Sequence, residues 1–91
     1  TMTKRITSRD NAQFRQIAKL AGSSRERKAQ GATLLDGPHL VEAYHASGRM
    51  AETLVAAEGA LEKPEIRRLF EGASARQRLL VPDRLFADFA Q

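Results

Sequence analysis

The chain predicts an α/β fold, a three-layer α/β/α sandwich around a small, mainly parallel sheet. Short aliphatic runs at residues 33–35 (T-L-L), 52–56 (E-T-L-V-A) and 78–81 (R-L-L-V) read as strands. Each is followed by a turn or connector carrying Gly37-Pro38, Pro64 or Pro82 and then by apolar residues at helical spacing. Strand and helix alternating three times place helices on both faces of a parallel sheet with right-handed crossovers. Ninety-one residues suffice for one such core.

In chain order, residues 1–10 are polar and basic with one apolar side chain, Ile6, and read as an extended basic arm ahead of a single domain over 11–91. Phe14, Ile17, Ala18 and Ala21 share one helical face, with Arg15 and Lys19 one turn apart on the side away from it. Ser8, Asp10 and Asn11 can each cap this helix, and Gly22 ends it. Ser23-Ser24-Arg25-Glu26 has the pattern of a capping box opening a second helix, which runs to Gln30 and stops at Gly31. That helix carries Arg25, Arg27 and Lys28, and Ala29 is nearly all it offers a core. It is either a mobile connector or a segment ordered by a partner.

Next comes the expected strand at 33–35, a sharp turn at Gly37, and a helix from Pro38 with Leu40, Val41 and Tyr44 at helical spacing up to Gly48. Loops after strand ends often hold ligands in parallel α/β folds, although Asp36-Gly37-Pro38 also serves as an ordinary acidic turn. Residues 58–63 are a connector or a single helical turn. Pro64 starts a helix whose Ile66, Leu69 and Phe70 face inward, with Arg67 and Arg68 outward, up to Gly72. Residues 73–77 read as a loop before the last strand. Pro82 stops that strand, Asp83 caps, and Leu85, Phe86 and Phe89 mark a closing helix.

The net charge is +4, unevenly spread. Residues 1–30 hold eight Lys/Arg against two acids, a balance of +6, whereas residues 31–75 stand at −3. A basic end on a near-neutral body is the footprint of a polyanion binder, or simply a solvated face. Four Phe, one Tyr and no Trp argue against a base-stacking platform for single strands. The absence of cysteine excludes disulfides and thiolate metal sites and fits a cytoplasmic protein. No run approaches a membrane span or a signal peptide. Thr1 ahead of Met2 reads as a cloning remnant, and the end at Gln91 as a cut from something longer.

No catalytic constellation is present. His39 and His45 are six residues apart, off the spacing of a helical metal pair, and suit surface or capping roles. Asp36 and Glu42 are likewise six apart with no pocket implied, and neither phosphate-binding glycine motif occurs. Ser23 and Ser24 lack a nearby base and are explained as caps. The residues alone describe a binding module, without catalytic group or metal site.

The stretches I-T-S-R-D-N-A-Q-F-R-Q-I-A-K-L-A (6–21), Arg27-x-x-x-Gly31 and L-L-D-G-P-H-L-V-E-A (34–43) resemble the amino-terminal substrate-binding domain of SpoU/TrmH-type RNA ribose methyltransferases. A weaker likeness continues through 54–58 and 79–90. The resemblance implies a sandwich similar to the kink-turn-binding ribosomal-protein fold, placed before a separate knotted catalytic domain. That domain would bind S-adenosylmethionine and methylate a ribose 2′-hydroxyl of ribosomal or transfer RNA, so this chain alone would transfer nothing. The family usually has Glu where this chain has Asp36, which shortens the reach of any contact made there. Charge and resemblance together nominate Arg9, Arg15, Lys19, Arg25, Arg27 and Lys28 as RNA contacts, with backbone N–H groups of the Gly37 turn nearby. The expected partners are structured RNA, the chain's own catalytic domain and a second copy in the full-length protein. The alternatives are a protein-interaction or dimerisation module using Leu85, Phe86 and Phe89, and a stand-alone kink-turn RNA binder.

Overall fold

A computed structural model describes residues 3–89. Its centre is a three-stranded, all-parallel sheet in the order β1 (Thr3–Arg5), β3 (Ala75–Val81), β2 (Ala51–Ala57). Thr53 pairs with Gln77 and Val55 with Leu79, so alternate residues of neighbouring strands share a face. On one face Ile6, Leu79 and Val81 meet Phe14 of α1 (Ala12–Gly22) and Leu85 of α5 (Asp83–Phe86). Phe14 and Phe86 both pack on Phe89, with ring centroids 5.1 and 5.5 Å apart. The opposite face is covered by α4 (Pro64–Gly72), whose Phe70 is buried, with α3 (Pro38–Ala46) beside it. The α/β sandwich is therefore formed as expected.

Several local expectations are corrected. Residues 33–35 form no strand: Leu34 stays 37% exposed and only Leu35 is half-buried. The two places beside the central strand β3 go to β2 and to β1, a strand missing from the expected order. Ile6 explains why the polar segment wins, because it is 2% exposed in the core and its N–H donates to the Leu80 carbonyl at 2.9 Å. Within the expected extended arm, residues 3–5 form the strand β1 of the sheet, while Thr1 and Met2 lie outside the described residues. Residues 75–77 belong to β3 rather than to a loop. Leu40 is 52% exposed, so α3 turns only Val41 and Tyr44 partly inward.

Helix ends follow local chemistry. Asn11 caps α1 by accepting the Phe14 N–H at 2.9 Å. Gly37, at φ 101, precedes Pro38 at the start of α3. Asp83 lies within α5 rather than capping it; its carboxylate accepts the Gly59 N–H at 2.8 Å, tying α5 to the 3-10 turn Glu58–Glu62. Arg78 is only 7% exposed, yet it forms no ion pair among the described residues. Its Nε donates to the Phe70 carbonyl at 2.7 Å and its Nη2 to the Ala73 carbonyl, so a cation closes the negative end of α4.

Candidate nucleic-acid interface

The basic amino-terminal third folds into a helical hairpin of α1 and α2 (Ser24–Gln30), on the side of the sheet that α1 covers. The hairpin is built from polar contacts, since α2 buries no side chain. The Ser23 hydroxyl accepts the Glu26 N–H at 3.1 Å, which is half of the expected capping box. The other half is absent because the Glu26 carboxylate accepts from Gln30 at 2.8 Å and lies 3.9 Å from Lys19. Gln16 donates to Gln30 at 2.7 Å and adds a second seam. At the far end of α2, Gly31 takes the left-handed conformation, φ 65. Its N–H donates to the Lys28 carbonyl at 3.2 Å, and that of Ala32 to the Arg27 carbonyl at 2.8 Å, a Schellman closure.

The hairpin separates the nominated residues by what their charges already touch. Arg25 and Lys28 line an open concavity of about 550 Å³ with Ser24, Arg27 and Ala32. Arg15, Arg25 and Lys28 are exposed and form no ion pair among the described residues. Lys19 is exposed at the α1–α2 seam, near Glu26. Arg27 is half-buried, and its Nη1 donates to the carbonyls of Leu20 at 2.7 Å and Ala21 at 3.2 Å in the last turn of α1. Gly37 stands apart in sequence at the start of α3, where its own carbonyl accepts the Val41 N–H at 3.2 Å.

Arg9 is not part of this group. It precedes the other end of α1 and is clasped to Asp88, Nε to Oδ2 at 2.7 Å and Nη2 to Oδ1 at 3.2 Å, with a further bond from Nη2 to the Arg84 carbonyl at 3.2 Å. This hydrogen-bonded pairing holds the Asp88 carboxyl below its ordinary range and raises the Arg9 pKa further. Charge counting could not have separated Arg9 and Arg27 from the solvent-facing cations. The sequence did not single out Arg78 for its capping role either; its position beside the apolar Leu79-Leu80-Val81 run was the available signal.

The concavity suits an anion. Arg25 and Lys28 line it together with Ser24, Ala32 and the carbonyl-bonded Arg27, and no carboxylate is in its lining. No group of three or more His, Asp or Glu side chains able to hold a metal exists among the described residues. No helix among them is long and apolar enough to cross a membrane. Of the residues expected to serve an interaction module, Leu85 is fully buried, and Phe86 and Phe89 are half-buried against the core.

Comparison with curated proteins and with solved structures finds no match. Comparison with protein families matches residues 11–91 to the MRM3-like substrate binding domain. The match covers all of α1 and α2, and with them the concavity. The chain belongs to the MRM3-like substrate binding domain family, a substrate-binding domain of RNA methyltransferase-like proteins.

Proposed function

We propose that this domain grips structured RNA, ribosomal or transfer, on the α1–α2 face and positions it for a SpoU/TrmH-type ribose 2′-O-methyltransferase in the cytoplasm. The observation that carries the reading is a set of exposed cations with no ion pair among the described residues on a family-matched substrate-binding domain, Arg25 and Lys28 at the concavity and Arg15 on α1. Folded RNA presents phosphates and 2′-hydroxyls rather than open base edges, so planar guanidinium groups and flexible ammonium groups suit it better than aromatic platforms. Holding the RNA through phosphates outside the reacting nucleotide converts a search among many riboses into a local encounter.

S-adenosylmethionine, the methyl donor for such a reaction, belongs on this reading to a separate catalytic domain. The concavity offers its sulfonium and ammonium no lining carboxylate, only Arg25, Arg27 and Lys28 of like charge. The role of the chain's own residues is thus to bind and orient.

The test is a salt titration of binding to unfractionated transfer RNA and to ribosomal RNA fragments, with light scattering alongside. Binding whose logarithm falls linearly with log salt, by about 0.7–0.9 per phosphate contact, is expected. Concentration-dependent dimers indifferent to RNA would contradict the proposal and favour a protein-interaction module.

A further inference from the structure

We infer that Arg27, counted by charge among the RNA contacts, is instead the positioning residue that fixes α2 against α1 and so shapes the cationic face. The inference rests on the proposed RNA-binding role of that face. Arg27 closes two helices at once. Its guanidinium donates to Leu20 and Ala21 at the end of α1, and its own carbonyl accepts the Ala32 N–H at the end of α2. The carbonyls of a last helical turn lack partners within the helix, and a cation there also meets the negative end of the helix dipole.

Little else holds the hairpin. No residue of α2 is buried, and the other seams are a 3.9 Å Lys19–Glu26 approach and the exposed Gln16–Gln30 bond. Exposed contacts of this kind fix geometry weakly. Arg25 and Lys28 stand two residues before and one after Arg27 on the same short helix, so their placement at the concavity follows the anchoring of Arg27. A guanidinium engaged through Nη1 with two carbonyls also has a reduced fork to offer a phosphate. Lysine is a poor replacement, because its ammonium stands one bond nearer the backbone than Nη1 and sits on a flexible stem rather than in a rigid planar group, so it falls short of the two carbonyls that Nη1 reaches.

The experiment compares Arg27→Ala, Arg27→Lys and the double variant Arg25→Ala/Lys28→Ala in the full chain. It uses unfractionated transfer RNA over roughly 50–200 mM salt, with hydrogen exchange at the α2 amides. Both Arg27 variants are expected to bind about tenfold more weakly with an unchanged salt slope, because orientation is lost rather than a phosphate contact. Both are expected to speed exchange in α2 while β3 stays protected. The double variant is expected to flatten the slope by about 1.4–1.8. If Arg27→Lys binds like the parent while Arg27→Ala loses one contact of slope, Arg27 is itself a contact and the inference fails. Unchanged binding and α2 exchange in Arg27→Ala would also overturn it, leaving the proposed function intact if the double variant still weakens binding. Failure of the parent chain to bind RNA would defeat the reading of the face and with it the positioning role; α2 exchange would then show only whether Arg27 holds the hairpin. Should Arg27→Ala fail to fold, Arg27→Lys carries the same comparison.

Discussion

Arg78 and Arg25 carry the same group to opposite ends. Arg78 lies under α4 with its guanidinium donating to backbone carbonyls, and Arg25 is exposed beside a concavity with no counter-ion among the described residues. Arg27 lies between them, half-buried and bonded to the end of α1. Net charge is therefore a poor measure of charge available to a ligand. A positive side chain that closes a helix stabilises the scaffold, and one that closes nothing can receive a phosphate.

Substitution at the buried end of this contrast gives the largest expected effect. Arg78→Met leaves buried carbonyls of Phe70 and Ala73 without their donor, and is expected to cost about 3 kcal/mol or more in urea unfolding. An unfolding midpoint close to the parent's would break the contrast. Next comes Gly31→Ala, expected to cost about 1 kcal/mol, because Gly31 sits at φ 65 where a Cβ is disfavoured and the closure of α2 depends on that turn. Hydrogen exchange confined to α2 would place the loss, whereas uniform loss across the sheet would contradict it.

The Arg9–Asp88 clasp sharpens the contrast from a third position. Asp88→Asn removes the carboxylate that occupies Arg9 and is expected to steepen the salt dependence of RNA binding by about 0.7–0.9 if Arg9 then reaches a phosphate. An unchanged slope would exclude Arg9 from the contact surface. The clasp also predicts a pH effect of definite sign. The Asp88 pKa is lowered in the folded state, first by the Arg9 hydrogen bond, so the carboxylate favours folding while ionised. Its contribution is present above the ordinary value of 3.8 and is lost as pH falls through the lower folded value. The parent's urea midpoint should therefore drop more steeply below pH 3.8 than that of Asp88→Asn. Parallel curves for the two would remove the clasp from the account.

Sequence reading recovered elements marked by strong local chemistry. Pro64 and Gly72 bound α4, Ser23 and Gly31 flank α2, and β2 extends one residue beyond each predicted end. It missed β1 because Thr3, Lys4 and Arg5 are polar and each is exposed, leaving Ile6 as the sole apolar signal. It placed a strand at 33–35 because two adjacent leucines look the same whether or not the segment pairs with a sheet, and here it does not. At the candidate site the sequence located the right helices but could not sort their cations. Which arginine finds a backbone carbonyl depends on where a neighbouring helix ends in space, and Arg27 and Arg78 show no such address in composition or spacing.

The most direct test of the central claim removes equal charge from the two sides of the sheet. Arg15→Ala/Arg25→Ala/Lys28→Ala removes from α1 and α2 the three exposed cations that form no ion pair among the described residues, and Arg67→Ala/Arg68→Ala/Arg76→Ala takes three exposed arginines from the α4 side. Salt titration against structured RNA is predicted to show a slope reduced by about 2.1–2.7 for the first triple variant and little changed for the second. Equal reductions in both would mean that the RNA senses total charge rather than this face, and would contradict the account.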